Sequence, residues 1–163
     1  MFEIGEFVIY KMDLCIIKEI KEKHLNNKDY YVLIPEEDKS LIINVPVENK
    51  NQFLRKLITK ERANEIISNI PNIEIIDCND KSLENEYKKL LNSNTHEGLI
   101  KIIKTTYLRN KERIDHNKCV GDKDIYYFNK AETYFYNELS KVLNLSIEQI
   151  KEYIANRIEN LDK

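Results

Sequence analysis

The sequence predicts an α+β protein, in which a small antiparallel β domain is followed by a bundle of five helices. Two observations lead to this prediction. Up to about residue 50, short apolar runs rich in β-branched and aromatic residues alternate with turn residues, as in short strands. From Thr59 onward, apolar residues recur at spacings of three and four, which is the period of an amphipathic helix. We place the boundary after Leu54, which gives a β domain of residues 1–54 and a helical domain of residues 55–163.

Five strands are predicted in the β domain, and turn residues separate them. The predicted strands are 2–4, 7–10, 14–20, 30–34 and 41–45. Gly5 and the segments 11–13, 26–29 and 35–38 lie between them, and their Gly, Asn, Asp and Pro residues favour chain reversal. Five short antiparallel strands with brief connections indicate a strongly bent sheet of the Tudor-like or SH3-like kind. We expect such a sheet to keep an exposed edge.

Helical periodicity predicts the first three helices. The first begins near Thr59 and ends at Pro71, which is a stop signal. Its apolar face consists of Ala63, Ile66, Ile67 and Ile70. The second covers about 81–91, and the third starts near Thr95, whose hydroxyl can cap it. The apolar face of the third consists of Leu99, Ile102, Ile103 and Tyr107.

The last two helices are predicted from their start signals. The fourth begins after residues 121–122. Its apolar face consists of Ile125, Phe128, Ala131, Phe135, Leu139 and Val142. The fifth starts at Ser146, which forms a capping box with Gln149, while Leu145 and Ile150 form a hydrophobic staple.

Composition limits the classes of protein that this chain could be. Hydrophobic residues make up 42%, but the longest apolar runs are a few residues, so neither a membrane span nor a secretory signal is expected. Three cysteines without a CxxC motif fit a reducing compartment, and we expect the cytoplasm. The net charge is −2, with 7 basic and 10 acidic residues up to Leu54 and 19 and 18 after it. Neither half is basic, so any contact with DNA must be local.

Several short segments follow a known pattern. The first ten residues, MFEIGEFVIY, and the strand end Asn44-Val45-Pro46 are at the two ends of the β domain. In the helical domain, residues 129–132 (NKAE) precede residues 137–139 (NEL). Together these segments resemble the CarD/CdnL family of bacterial transcription regulators, in which a Lys-Ala pair precedes a Glu-Leu pair by the same interval. In that family a small β domain docks on RNA polymerase and a helical domain approaches promoter DNA.

The resemblance implies a surface that binds the β subunit of RNA polymerase. In the family, an edge of the β domain extends a sheet in the lobe of that subunit, and strand addition supplies main-chain hydrogen bonds. The corresponding residues here are Lys21, Lys23, His24, Asn44 and Pro46. Family members often carry a basic residue at two contact positions. Lys23 matches the first, whereas Asn44 at the second lacks the charge and the fork of an arginine.

The resemblance also implies a surface that faces DNA. Many family members carry a tryptophan just before the second helix, which wedges into the minor groove at the upstream edge of the melted promoter. This chain has no tryptophan, and Asp80 occupies that position. The candidate DNA-facing residues are Asp80, Lys81, Asn85, Lys88, Lys89, Lys101, Lys104 and Arg109. Because a carboxylate repels phosphates, we expect promoter DNA to be bound weakly and within the polymerase complex.

Three patterns have a structural explanation beside a functional one. The basic segment of residues 101–113 is either a phosphate-contacting surface or a solvated helix face. The aromatic residues of 126–128 and 134–136 either stack on bases or pack inside the bundle. His116 and Cys119 are two possible metal ligands, whereas a structural zinc site needs four. No catalytic motif occurs, so no metal, cofactor or enzymatic activity is expected.

The first hypothesis is therefore a CarD-like transcription regulator, acting as a monomer, that binds the RNA polymerase β-subunit lobe and modulates promoter open complexes. The alternative is an interaction adaptor whose β domain holds a different protein and which has no role on DNA. A small enzyme is the third hypothesis.

Overall fold

A computed structural model describes the backbone of residues 1–161 and the side chains of residues 1–157. The chain divides into two compact units, Met1–Leu57 and the segment that begins at Ile58. Within the described residues, the first unit contains five strands, and the second contains five α-helices and one short 3₁₀ helix. The predicted α+β class is confirmed. The first unit includes Leu54–Lys56, because this segment forms the last strand.

The five strands form one antiparallel sheet. They are β1 (Phe7–Tyr10), β2 (Asp13–Leu25), β3 (Lys28–Pro35), β4 (Ile43–Pro46) and β5 (Leu54–Lys56). Their order across the sheet is β4-β3-β2-β1-β5, so β4 and β5 are the two edge strands. The core of the unit consists of Val8, Cys15, Ile17, Tyr31, Leu33, Val45 and Leu54.

The strand predicted over residues 2–4 is wrong, and Leu54–Lys56 supplies the fifth strand instead. Residues 3–6 form a turn, in which the Glu6 N–H donates to the Glu3 carbonyl at 3.1 Å. Phe2 donates its N–H to the Tyr31 hydroxyl at 3.0 Å, and the two rings pack edge to face. The N-terminal segment therefore covers the sheet and contacts its backbone at one point, where Gly5 and Glu6 exchange hydrogen bonds of 2.7 and 3.0 Å with Ile17 of β2.

The connection between β2 and β3 is a tight hairpin. Leu25 pairs with Lys28, and Asn26 and Asn27 between them have φ values of 50° and 57°. Two successive left-handed residues define the type I′ turn, which asparagine tolerates well. The predicted turn is confirmed, and β2 extends to it beyond the predicted end at residue 20.

The second unit contains α1 (Lys60–Asn69), α2 (Asp80–Asn92), α3 (His96–Asp115), α4 (Asp122–Leu143) and α5 (Ile147–Leu161). The predicted cap is confirmed at Thr95, and Thr59 also caps its helix, since both hydroxyls accept an N–H group of the first turn. Ser146 and Gln149 exchange two hydrogen bonds of 2.9 and 3.2 Å, which is the predicted capping box. The 3₁₀ helix Ile70–Asn72 carries Pro71 and follows α1 directly.

Two apolar residues assigned to helix faces are exposed. Tyr107 is 57% exposed because the buried stripe of α3 continues through Thr106, whose hydroxyl donates to the Ile102 carbonyl at 2.7 Å. Ile125 is 41% exposed because Asp124 occupies the buried stripe of α4 in its place. Both predictions are wrong for the same reason, since a polar residue with an internal hydrogen bond replaces an apolar one in the stripe.

Glu138 on α4 is another buried polar residue of the bundle. Its side chain is 1% exposed, one carboxylate oxygen accepts the Ile58 N–H at 3.1 Å, and the other lies 2.8 Å from Nε2 of His96. These partners compensate a buried carboxylate, which would otherwise destabilise the fold. Glu138 therefore fixes the start of the second unit and the start of α3 against α4.

Candidate functional site

The open edge of β4 is the first candidate surface. On its inner side, β4 pairs with β3, where Val45 lies opposite Tyr31. The N–H of Val47 donates to the Asp29 carbonyl at 3.0 Å, so the backbone groups of Val45 and Val47 point toward β3. Because successive residues of a strand alternate, the N–H and C=O of Asn44 point away from β3. The edge thus offers main-chain hydrogen-bonding groups to another strand.

Lys21 and Pro46 lie in one row that crosses three strands. Lys21 is opposite Tyr30, and Tyr30 is opposite Pro46. Residues directly opposite each other project from the same face of a sheet, so two of the predicted polymerase-binding residues flank the Tyr30 ring. Sequence reasoning missed Tyr30. The pair Tyr30-Tyr31 could have indicated it. Successive residues of a strand face opposite sides of the sheet, so when Tyr31 is in the core, at 1% exposed, Tyr30 faces the other side.

Lys23 and His24 lie in a bulge at the far end of β2. The register of β2 against β3 shifts between Lys21 and Leu25. Lys23 has a φ of 48°, and its N–H donates to the Asp29 carboxylate at 2.9 Å. The His24 ring packs edge to face with Tyr30, with ring centroids 5.9 Å apart. The bulge therefore exposes both residues and places the His24 ring beside Tyr30, while the backbone of Lys23 is held by Asp29.

These residues form what we call the β4-edge surface: Lys21, Lys23, His24, Tyr30, Asn44 and Pro46. Its chemistry has two parts. The backbone of Asn44 can pair with an incoming strand whatever that strand's sequence, and Lys21 and Lys23 favour a partner that carries carboxylates. The Asn44 side chain is exposed and can add a hydrogen bond without adding charge.

The second candidate surface begins at the N-terminus of α2. Asn79 caps this helix by accepting the Ser82 N–H at 3.0 Å, and Asp80 is its first residue. The Asp80 side chain is 79% exposed, at a helix end where a carboxylate is favoured by the helix dipole. The other α2 residues predicted to face DNA are also exposed, namely Lys81, Asn85, Lys88 and Lys89.

All three of the predicted DNA-facing cations on α3 have partners inside the unit. Lys104 donates to the carbonyls of Ile70 and Ile73 at 3.0 and 2.5 Å, and so binds the 3₁₀ helix. Arg109 donates to Asp124 at 3.2 Å and to Asp80 at 3.0 Å. Lys101 is the third cation and forms an ion pair of 3.7 Å with Glu97. The positive charges of these side chains are therefore largely paired with groups inside the second unit.

Asp124 is the centre of a buried polar chain. Its side chain is 6% exposed and accepts the Tyr87 hydroxyl at 2.8 Å together with the Arg109 Nε–H. Burial raises the pKa of Tyr87, and the hydrogen bond and charge of Asp124 raise it further, so the hydroxyl remains a donor. Arg109 supplies the positive charge that a buried carboxylate needs.

The aromatic residues of α4 divide between packing and exposure. Tyr127 and Phe135 are buried, and the Tyr127 ring lies 5.0 Å from the Tyr87 ring. This supports the packing explanation for both residues. Tyr126 is 55% exposed, so packing does not account for it.

Metal binding and membrane insertion find no support in the described part of the chain. Among those residues, no group of three His, Cys, Asp or Glu side chains could hold a metal ion. The Nδ1 atom of His116 lies 2.8 Å from the Glu112 carbonyl oxygen, so this ring nitrogen is already in contact with the end of α3. No described helix has the length and apolar character needed to cross a membrane.

The first unit matches a known domain family. Residues 2–58 match the family model described as the CarD-like/TRCF RID domain. The matched range covers all five strands and ends before α1 begins. A comparison with curated proteins found no match.

We predict that Arg109→Ala lowers the free energy of unfolding by about 2 kcal/mol, because the buried Asp124 carboxylate loses its cation. Urea denaturation measures this change. Lys111→Ala, which removes an exposed cation from the same helix, is the control and should leave the stability within about 0.5 kcal/mol of the original. Equal stabilities for the two variants would show that Arg109 has no structural role.

Proposed function

We propose that this chain is a transcription regulator that binds the β-subunit lobe of RNA polymerase, because residues 2–58 match the CarD-like/TRCF RID domain, a domain type that interacts with the polymerase. We further propose that it acts as a cytoplasmic monomer, without catalysis. The observation that carries the proposal is the coincidence of this domain match with an open strand edge. The β4-edge surface is the proposed contact.

Strand addition explains how a short edge could bind. A polymerase strand beside β4 would exchange hydrogen bonds with the outward N–H and C=O of Asn44, each contributing about 0.5–1.5 kcal/mol net. Pro46 has no N–H, so pairing would not extend past it, and the register of the partner would be fixed. Lys21 and Lys23 would then select a partner with acidic residues beside its strand.

We predict that Lys23→Glu weakens binding to RNA polymerase core about tenfold, because the exposed side chain faces an acidic partner surface. Biolayer interferometry on immobilised polymerase measures the affinity. Lys39→Glu is the control, since Lys39 is equally exposed in the same unit but lies in the segment between β3 and β4. Unchanged affinity of Lys23→Glu, with unchanged thermal stability, would remove Lys23 from the interface.

The second part of the proposal concerns promoter DNA. We propose that the N-terminus of α2 faces the promoter in the polymerase complex and modulates the open complex. An open cleft of about 310 Å³ beside Asp80 and Arg109 is also lined by Arg113, His116 and Lys118, which supports a local contact with phosphates. Asp80 and Glu112 on the same cleft oppose that contact, so the free protein should bind duplex DNA weakly.

We predict that Asp80→Trp lengthens the lifetime of heparin-challenged open complexes, because it provides an apolar wedge and removes a negative charge from near the phosphates. Asp80→Ala is the matched control, since it removes the same charge and the same bond to Arg109 without providing a wedge. A longer lifetime with both variants would assign the effect to charge alone. No change with either variant, while polymerase binding persists, would contradict the DNA-facing assignment.

An adaptor remains the alternative, and one observation favours it. The second unit exposes five large apolar side chains along α3 and the start of α4: Tyr107, Leu108, Ile114, Ile125 and Tyr126. Exposed apolar residues in such number favour a protein partner over DNA. The outcome in which Asp80 variants leave promoter kinetics unchanged would support this alternative.

A further inference from the structure

The first unit contains a groove that shares Pro46 with the β4-edge surface and otherwise lies beyond it. It has a volume of about 270 Å³, and its apolar walls are Tyr10, Val45, Pro46 and Phe53. We propose that this groove, called here the Tyr10–Phe53 groove, binds an extended acidic segment that places one apolar side chain against these walls. The assignment of that segment to RNA polymerase rests on the proposed function.

The groove is formed before any partner binds. Asn49 donates its side-chain amide to the Leu54 carbonyl at 2.7 Å and accepts the Leu54 N–H at 3.2 Å, which closes the loop between β4 and β5. The Lys11 N–H donates to the Phe53 carbonyl at 3.1 Å and fixes Phe53 beside β1. Asn49 and Gln52 adopt φ values of 44° and 54°, an unusual conformation for such residues. A preformed wall lowers the entropic cost of binding.

The rim of the groove is positive in a domain that is otherwise acidic. The Lys11 ammonium lies 5.0 Å from the Phe53 ring centroid and 5.4 Å from that of Tyr10. Lys28 and Lys50 share one carboxylate, that of Glu48, at 3.4 and 3.3 Å. The charged side chains at the groove are therefore three lysines and one glutamate, of which Lys28 and Lys50 pair with Glu48. Because charge complementarity selects the partner, the segment that fits carries carboxylates next to its apolar side chain.

The groove continues the open edge of β4. Pro46 lies both at the end of that edge and in the wall of the groove. A strand that pairs with Asn44 must leave the ladder at Pro46, because no N–H is offered there. The next residues of the partner then pass beside the groove, where an apolar side chain could enter it. One continuous segment of the polymerase would thus pair with β4 and fill the groove.

The groove is tested first with a peptide probe and the full-length ¹⁵N-labelled protein. Titration with acetyl-Glu-Leu-Glu-amide should shift the amide signals of Lys11, Asn51 and Phe53, and acetyl-Lys-Leu-Lys-amide should not. The double variant Lys11→Glu/Lys50→Glu should abolish these shifts, and Lys18→Glu/Lys39→Glu, with the same charge change at exposed positions outside the groove, should retain them. Absence of shifts at the groove, or equal shifts with both peptides, would overturn the proposal.

Lys50→Glu alone is the control for a folding defect in the double variant. The Lys50 side chain is 77% exposed, so its replacement should leave the fold intact, which well-dispersed amide signals would verify. The same proteins are then compared on RNA polymerase core, where Lys11→Glu/Lys50→Glu should bind at least about tenfold more weakly than Lys18→Glu/Lys39→Glu. If the unmodified protein binds the peptide in the groove but does not bind polymerase, the proposed function is contradicted and the groove is still a site for acidic segments. Equal polymerase binding by both double variants would overturn the polymerase segment as its occupant.

Discussion

The outward backbone N–H and C=O of Asn44 are the groups on which the account of polymerase binding depends. Strand β4 satisfies its inner groups against β3 and leaves the outer ones exposed, which is a state that proteins usually avoid because it invites pairing. Here the edge is only four residues long and ends at a proline. A short edge limits uncontrolled association and still offers a partner a defined register.

The rest of the first unit positions side chains around that edge. The strand register and the bulge at Lys23 bring Lys21 and His24 to the Tyr30 ring, although β3 lies between β2 and β4. On the other side of Pro46, the clamp of Asn49 on Leu54 forms the groove. The unpaired backbone of Asn44, the lysines and the apolar groove are therefore neighbours around β4. Peptide-binding domains that combine strand addition with side-chain pockets have the same combination.

In the second unit, internal polar contacts determine which charges remain for a partner. Arg109 and Lys104 compensate a buried carboxylate and free helix-end carbonyls, so they are poorly placed to bind phosphates at the same time. The exposed cations Lys81 and Lys89 remain, and Asp80 lies close to them along the helix. Lys88 forms an ion pair of 3.7 Å with Glu84. Such a balance agrees with a contact that depends on the polymerase to bring the DNA near.

Local signals predicted the structure better than long-range ones. The starts of α3 and α5 followed from Thr95 and Ser146, because a cap is a contact within one turn, and the start of α1 followed from its apolar periodicity. The strand Leu54–Lys56 depends on pairing with β1, far away in the sequence, and three residues give little pattern. Burial of Asp124 and Thr106 could not be predicted either, since their partners Tyr87, Arg109 and Ile102 are known only from the fold. The domain resemblance predicted residues near the β4 edge but did not include Tyr30, which the strand register places between Lys21 and Pro46.

Amide hydrogen exchange of the full-length protein, with and without RNA polymerase core, tests directly whether β4 pairs with a strand of the polymerase. The amide of Asn44 points outward and should exchange rapidly in the free protein, whereas that of Val45 is already bonded to β3. Strand addition predicts strong protection of Asn44 in the complex with little further change at Val45. A stable complex in which the Asn44 amide exchanges as rapidly as in the free protein would contradict strand addition at β4.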